Sequence, residues 1–192
     1  MEPTLWGPSI WQMLFSCAWM CAPVHFETLR IMVMEQIPLL LPCSQCRQNF
    51  GRHLDRINKR ARGEPRNSEH MFRWLWYLKD EVNRNLGRTS IPLAHVVDRY
   101  VLHGGIIDDV ALGDTLVLLS LSARSYNRDD VFIAFCNSLH ILLPLPHDSE
   151  FIRHIVNVQR PIVTTTVRVA CAARVERGIK PLVLAHYKAA TE

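Results

Sequence analysis

The sequence predicts an all-α protein. Apolar residues recur at three- and four-residue spacing along nearly the whole chain, prolines and glycines punctuate the periodic stretches, and the alternation of half-buried strands is lacking. At 192 residues, 48% hydrophobic and 21% charged, the chain has globular composition and can bury a sizeable core.

A first helix is expected over residues 9–22, after Pro8 and up to Pro23, with Ile10, Leu14, Cys17 and Cys21 on one buried face. A second covers 26–40, with Leu29, Val33, Ile37 and Leu40 as its stripe and Pro38 bending or fraying its end. Pro42 introduces a third helix over 43–59, and a polar break follows from Arg60 to Asn67. Ser68 suits the N-cap of a fourth helix and Gly87 its C-terminal stop, with Met71, Leu75, Leu78, Val82 and Leu86 as the core stripe. A short fifth helix is expected over 93–101.

All five tryptophans precede residue 77, composition shifts after Tyr100, and His103-Gly104-Gly105 makes a hinge. The expected organisation is therefore two units, 1–103 and 104–192. Helices are expected in the second near 110–125, 129–142, 149–158 and 163–177, broken by Pro144, Pro146 and Pro161. The β-prone Thr164-Thr165-Thr166-Val167 competes with the last of these. This unit shows no chemistry-bearing cluster. His140, His147, His154 and His186 are scattered, and the unit is expected to pack against the first or to build a dimer.

A net charge of +4 is too mild to imply nucleic acid. Asp114 breaks the apolar stretch 110–121, no apolar run approaches the length of a membrane span, and Met1-Glu2-Pro3-Thr4-Leu5 does not read as a secretory signal. A cytoplasmic protein is the resulting expectation.

The chemistry concentrates in Cys43-Ser44-Gln45-Cys46. A CxxC at a helix N-terminus can close and reopen a disulfide, because the terminal N–H groups stabilise a thiolate there. The competing reading is zinc, with Cys17, Cys21, Cys43 and Cys46 as a four-ligand set. Cys17 and Cys21 lie on an apolar helix face, where packing is the plainer role, and Cys136 and Cys171 read the same way. A thioredoxin-like fold fails for want of alternating strands and helices. A helical protein with an exposed CxxC then needs another electron acceptor, and the neighbouring aromatics suit a flat cofactor.

Three segments resemble the Erv/ALR family of FAD-linked sulfhydryl oxidases. Gly7-Pro8-Ser9-Ile10-Trp11-Gln12-Met13-Leu14 is similar to the family's G-x-x-x-W-x-x-L, and Leu41-Pro42-Cys43-Ser44-Gln45-Cys46 to its Y-P-C-x-x-C. Trp74 to Arg88 resembles W-L-x-x-x-H-N-x-V-N-x-x-L-G-K. Order and spacing hold over roughly residues 5–100, and the second half is not covered. The resemblance implies an Erv-like four-helix bundle with a short fifth helix, holding FAD beside the CxxC. Cys43 would exchange with a dithiol substrate protein and Cys46 would face the flavin, with oxygen as final acceptor and hydrogen peroxide as product. Gly7, Trp11, Phe15, Cys46, Lys79, Val82, Asn83, Asn85, Leu86, Arg88 and Tyr100 would bind the cofactor. No metal ligand is implied.

The chain departs from the family at Phe15, where the family has His, and at Lys79-Asp80, where it has His-Asn. Trp76 and Leu93 stand where the family carries a structural disulfide. These losses lean towards the virus-encoded branch, which would place the protein in the host cytoplasm or the virion. A homodimer is implied by the same resemblance.

The stretch from Arg47 to Arg66 holds Arg47, Arg52, Arg56, Lys59, Arg60, Arg62 and Arg66 against Asp55 and Glu64. It reads as a solvated helix face, or else as a dock for an acidic protein. Nucleic acid is disfavoured because no aromatic stacking platform interleaves with it.

Overall fold

In the computed structural model, residues 3–102 and 109–143 are described, and among them every regular element is helical. The all-α expectation holds. The expected helices near 149–158 and 163–177, and Cys171, lie outside the described residues.

Helix α1 (Pro3–Met20) is the central element. Met13 to Ala18 are buried without interruption, because α1 packs against both α5 (Ser68–Asn85) and α7 (Asp109–Ser125). The single apolar face expected for this helix is therefore an underestimate. The helix also starts before Pro8, which sits inside it, and Trp6 anchors that early turn by being buried. Pro8 lies in the second turn, so the helix forgoes one i→i−4 bond there.

The second expected helix is interrupted where Pro38 acts. After α2 (Phe26–Ile31), residues Met32–Gln36 form a π-helical turn in which the Ile37 N–H donates to Met32 O, and α3 (Ile37–Leu40) follows. Proline has no N–H for the i−4 carbonyl and its ring crowds it, so the ladder widens just before it. The stripe survives: Leu29, Val33, Ile37 and Leu40 are all buried.

Helix α4 (Ser44–Arg60) begins at Cys43, which is its N-cap. Helix α5 is capped by Asn67, not Ser68: Asn67 Oδ1 accepts from the His70 N–H at 2.8 Å, and asparagine caps as well as serine. Its far end closes as anticipated at Gly87 (φ +67°), where Gly87 N bonds Arg84 O and Arg88 N bonds Asn83 O in a Schellman motif. The short α6 (Leu93–Val97) passes into a π-helical turn over Asp98–Leu102. Trp76 Nε1 donates to Ile91 O at 2.7 Å, tying α5 to the segment before α6, where the resemblance places a bridge.

Helices α7 and α8 (Asp129–Leu142) pack onto α1, α2, α3 and the π-helical turn, and their buried residues join one core with those of α1 to α5. No described helix is long and apolar enough to cross a membrane.

Candidate active site

Cys43 and Cys46 form a disulfide across the first turn of α4, with Cα atoms 5.1 Å apart. Cys43 Sγ accepts from the Cys46 N–H at 3.1 Å, so the sulfur itself caps the helix. Both residues are partly exposed. A thiolate released at Cys43 would keep that hydrogen bond and sit at the positive end of the helix dipole.

Cys46 opens onto a cavity of about 350 Å³, within the usual range of small-molecule sites. Its walls come from the start of α1, α3 and the residue after it, the first turns of α4, the C-terminal half of α5 and the turn that carries Arg99 and Tyr100. Of the residues that the resemblance assigns to the cofactor, Gly7, Trp11, Cys46, Lys79, Val82, Asn83, Asn85, Leu86, Arg88 and Tyr100 all line it. Phe15 does not line it. It is fully buried behind the wall, stacked on Tyr100 at 4.8 Å and tilted against Phe72 at 4.9 Å. A phenyl ring in this position has no polar atom to offer and fills the core instead.

The lining carries the cations Lys79, Arg88 and Arg99 and no carboxylate. Lys79 is nearly buried, its ammonium 4.8 Å from the centroid of Trp11 and 5.6 Å from that of Tyr100. Burial, helped by Arg99 and Arg88, pushes its pKa down to about 8. Its neighbour Asp80 turns away from this role. It accepts from Arg60 at 2.9 Å, Arg84 at 3.0 Å and the Ser90 hydroxyl. Trp6 also lines the cavity, and its buried indole N–H has no acceptor among the described residues.

Other wall residues carried no separable signal in the sequence. His53 is buried on α4 with Nδ1 3.9 Å from Glu81 Oε1 and 3.5 Å from Asn85 Nδ2. Burial lowers its pKa, the Glu81 carboxylate opposes that and Arg56 adds to it, leaving the ring neutral near pH 7. Asn49, Phe50 and Arg99 likewise reach the cavity only because the helices bring them there.

Cys17 is buried in α1 and Cys21 just past its end, and desolvation raises both thiol pKa values. Cys136 is buried too. Among the described residues no group of three or more His, Cys, Asp or Glu is arranged to hold a metal, so the four-cysteine zinc set is not assembled. Nor is the basic stretch simply solvated: Arg56 bonds Glu81 at 2.9 Å, Arg60 bonds Asp80, and Arg47 lies over the Tyr126 ring.

The segment that supplies the disulfide and nearly every wall of this cavity is also the part of the chain related to known proteins. Residues 8–101 match the Erv1 / Alr family. This is a family of thiol oxidases, so the match supports an oxidoreductase acting on thiols. No curated protein and no solved structure gave a significant match. The Erv1/Alr match ends before α7 and α8, whose buried residues share one core with the matched segment.

Proposed function

We propose that the protein is an FAD-dependent sulfhydryl oxidase that makes disulfides in a dithiol substrate protein. The observation carrying this reading is the placement of Cys46 in the wall of an aromatic cavity whose lining cations have no carboxylate among them. A dinucleotide offers what such a cavity lacks: flat rings for Trp11 and Tyr100, phosphates for Lys79, Arg88 and Arg99, and an acceptor for the orphaned Trp6 N–H. Asn83, Asn85 and His53 supply further polar groups.

A substrate thiolate attacks Cys43 Sγ, the Cys43–Cys46 bond breaks, and Cys46 leaves as a thiolate facing the cavity. The second substrate thiolate attacks its own sulfur in the mixed disulfide, which releases the substrate disulfide and leaves Cys43 as a thiolate. The Cys46 N–H and the α4 dipole stabilise that leaving group. The pair now holds two electrons. FAD bound in the cavity would accept them and pass them to oxygen, giving hydrogen peroxide.

A homodimer, a viral origin, and a place in the host cytoplasm or virion belong to the same reading through the family resemblance. The test is the visible spectrum of the purified protein and its response to dithiothreitol in air. A flavin band at about 450 nm that bleaches with thiol, recovers with oxygen and leaves peroxide is expected. A colourless protein, or full turnover in Cys46→Ser, overturns the assignment.

A further inference from the structure

The α7–α8 hairpin lies outside the Erv1/Alr segment, yet it is fastened to the residues that lead into the disulfide. Ser122 Oγ donates to Leu41 O at 3.2 Å, the same carbonyl that Arg47 Nη1 reaches. Arg128 Nη1 donates to Leu39 O at 2.7 Å. The Arg47 guanidinium lies 3.7 Å from the centroid of Tyr126, while the Arg47 N–H bonds Cys43 O at 3.0 Å. The turn from Tyr126 to Arg128 is thereby held beside the N-terminus of α4.

These bonds explain why the hairpin sits there, but not what it leaves in water. Tyr126 remains 43% exposed and Leu39 40% exposed, two largely apolar side chains on the segments that these contacts tie to the start of α4. Arg47 and Arg128 are held by carbonyls and a ring, and neither forms an ion pair among the described residues. From Ser44 onward α4 carries no carboxylate before Asp55, while Arg52 on it is exposed. Asp129 and Asp130 open α8 beside Arg128, yet Arg47, Arg52 and Arg128 outnumber them, so the rim offers apolar contact and a net positive charge together.

We propose that the α7–α8 turn is a docking surface for an acidic polypeptide segment bearing the cysteine that attacks Cys43. Tyr126 and Leu39 take its apolar side chains, and Arg47 and Arg128 take carboxylates flanking the thiol. The proposal rests on the sulfhydryl-oxidase reading and assigns selectivity to a hairpin outside the family segment.

The probes are a reduced CxxC peptide flanked by glutamates, its lysine-flanked counterpart, dithiothreitol, and a fluorescent glutamate-flanked peptide with serines for cysteines. Wild type is expected to favour the glutamate-flanked peptide through KM. Tyr126→Ala and Arg128→Gln each raise that KM severalfold, about tenfold together, and weaken binding of the serine peptide to match. Turnover of dithiothreitol stays unchanged, while the melting temperature falls by a few degrees as the contacts to Leu39 O and Arg47 are lost. Arg128→Glu moves the preference towards the lysine-flanked peptide. Equal loss of activity on dithiothreitol and both peptides would reduce the hairpin to a support for the disulfide and overturn the proposal. So would an absence of charge preference in wild type. If wild type oxidises no thiol, the oxidase reading falls by itself, and serine-peptide binding still decides the surface: sensitivity to Tyr126→Ala upholds it, and lack of binding removes it.

Discussion

The Lys79 ammonium lies 4.8 Å from the centroid of the Trp11 ring, in the wall of the cavity that Cys46 also lines. A cation over an indole is favourable, but this one has lost most of its water and faces Arg88 and Arg99. Its pKa of about 8 makes it a charge that the cofactor-free protein holds at a cost and that an anionic ligand would relieve.

That cost has a sign. A base whose folded pKa lies below its unfolded value destabilises the fold when protonated. The penalty is fully present below about pH 8 and is relieved as pH rises towards the usual lysine value. Lys79→Met should stabilise the cofactor-free protein at pH 7 by up to about 3 kcal/mol, the span between the two pKa values. Chemical denaturation at pH 7 and pH 10 measures it, and the gain should shrink at the higher pH.

The cofactor should respond in the opposite sense. FAD affinity is expected to fall about tenfold as pH rises through the Lys79 titration, and Lys79→Met should show the weak affinity throughout with that step missing. Equilibrium titration of FAD into the cofactor-free protein across this range gives the curve. A step that persists in the variant would assign it to another group.

Under the oxidase reading Cys43 has two separable roles, as a redox sulfur and as the observed cap of α4. Cys43→Ser and Cys43→Ala should both abolish thiol oxidation. Only the alanine variant should lose the cap, at about 1 kcal/mol, since a serine hydroxyl can accept from the Cys46 N–H as the sulfur does. Comparing melts under reducing conditions removes the disulfide from every variant and leaves the cap as the difference.

Asp80 shows what the chain gained where the resemblance expects Asn. Burial raises the carboxyl pKa, but the Ser90 and Arg60 hydrogen bonds and the Arg84 charge outweigh it, and the net shift is downward. A lowered carboxylate pKa contributes stability above the unfolded value, about 3.9, which is lost as pH falls through the folded one. Asp80→Asn should cost about 1–2 kcal/mol at pH 7, because Arg60 and Arg84 lose their shared partner but stay partly solvated, and Arg84 keeps Glu81. Its stability should also fall less steeply between pH 5 and pH 2, with Glu81 supplying the remaining slope, since its pKa is lowered too.

Local signals made most of the site legible. The CxxC after a proline, the spacing of Trp11 on α1 and the Val82-to-Arg88 run ending in glycine each act within one helix. The cavity they line required only that three such helices meet. What stayed hidden depends on partners far away in sequence. The burial of α1 on nearly every side follows from α7 packing against it, and Phe15 is drawn into the core by Phe72 and Tyr100. His53 carries no signal of its own in the sequence, yet the α4–α5 contact buries it against Glu81 and Asn85. The choice of Asn67 over Ser68 as cap is a one-residue register that composition does not decide.

Gly87 sets the end of α5 from which Leu86, Arg88 and Thr89 reach the cavity. A Cβ added there would meet nothing within 4 Å, so the cost of Gly87→Ala is backbone strain alone, at φ +67°. That strain is about 1 kcal/mol, or about 2–4 °C in melting temperature for a chain of this size. Because Arg88 N closes the Schellman motif on Asn83 O, relaxing the turn should also displace Arg88 and weaken FAD binding modestly. Gly87→Asn is expected to recover much of both losses, since asparagine tolerates the left-handed conformation better than alanine. Melting and FAD titration on the pair separate the causes. Equal losses in the two variants would mean that removal of glycine from this rim acts by something other than its backbone angle.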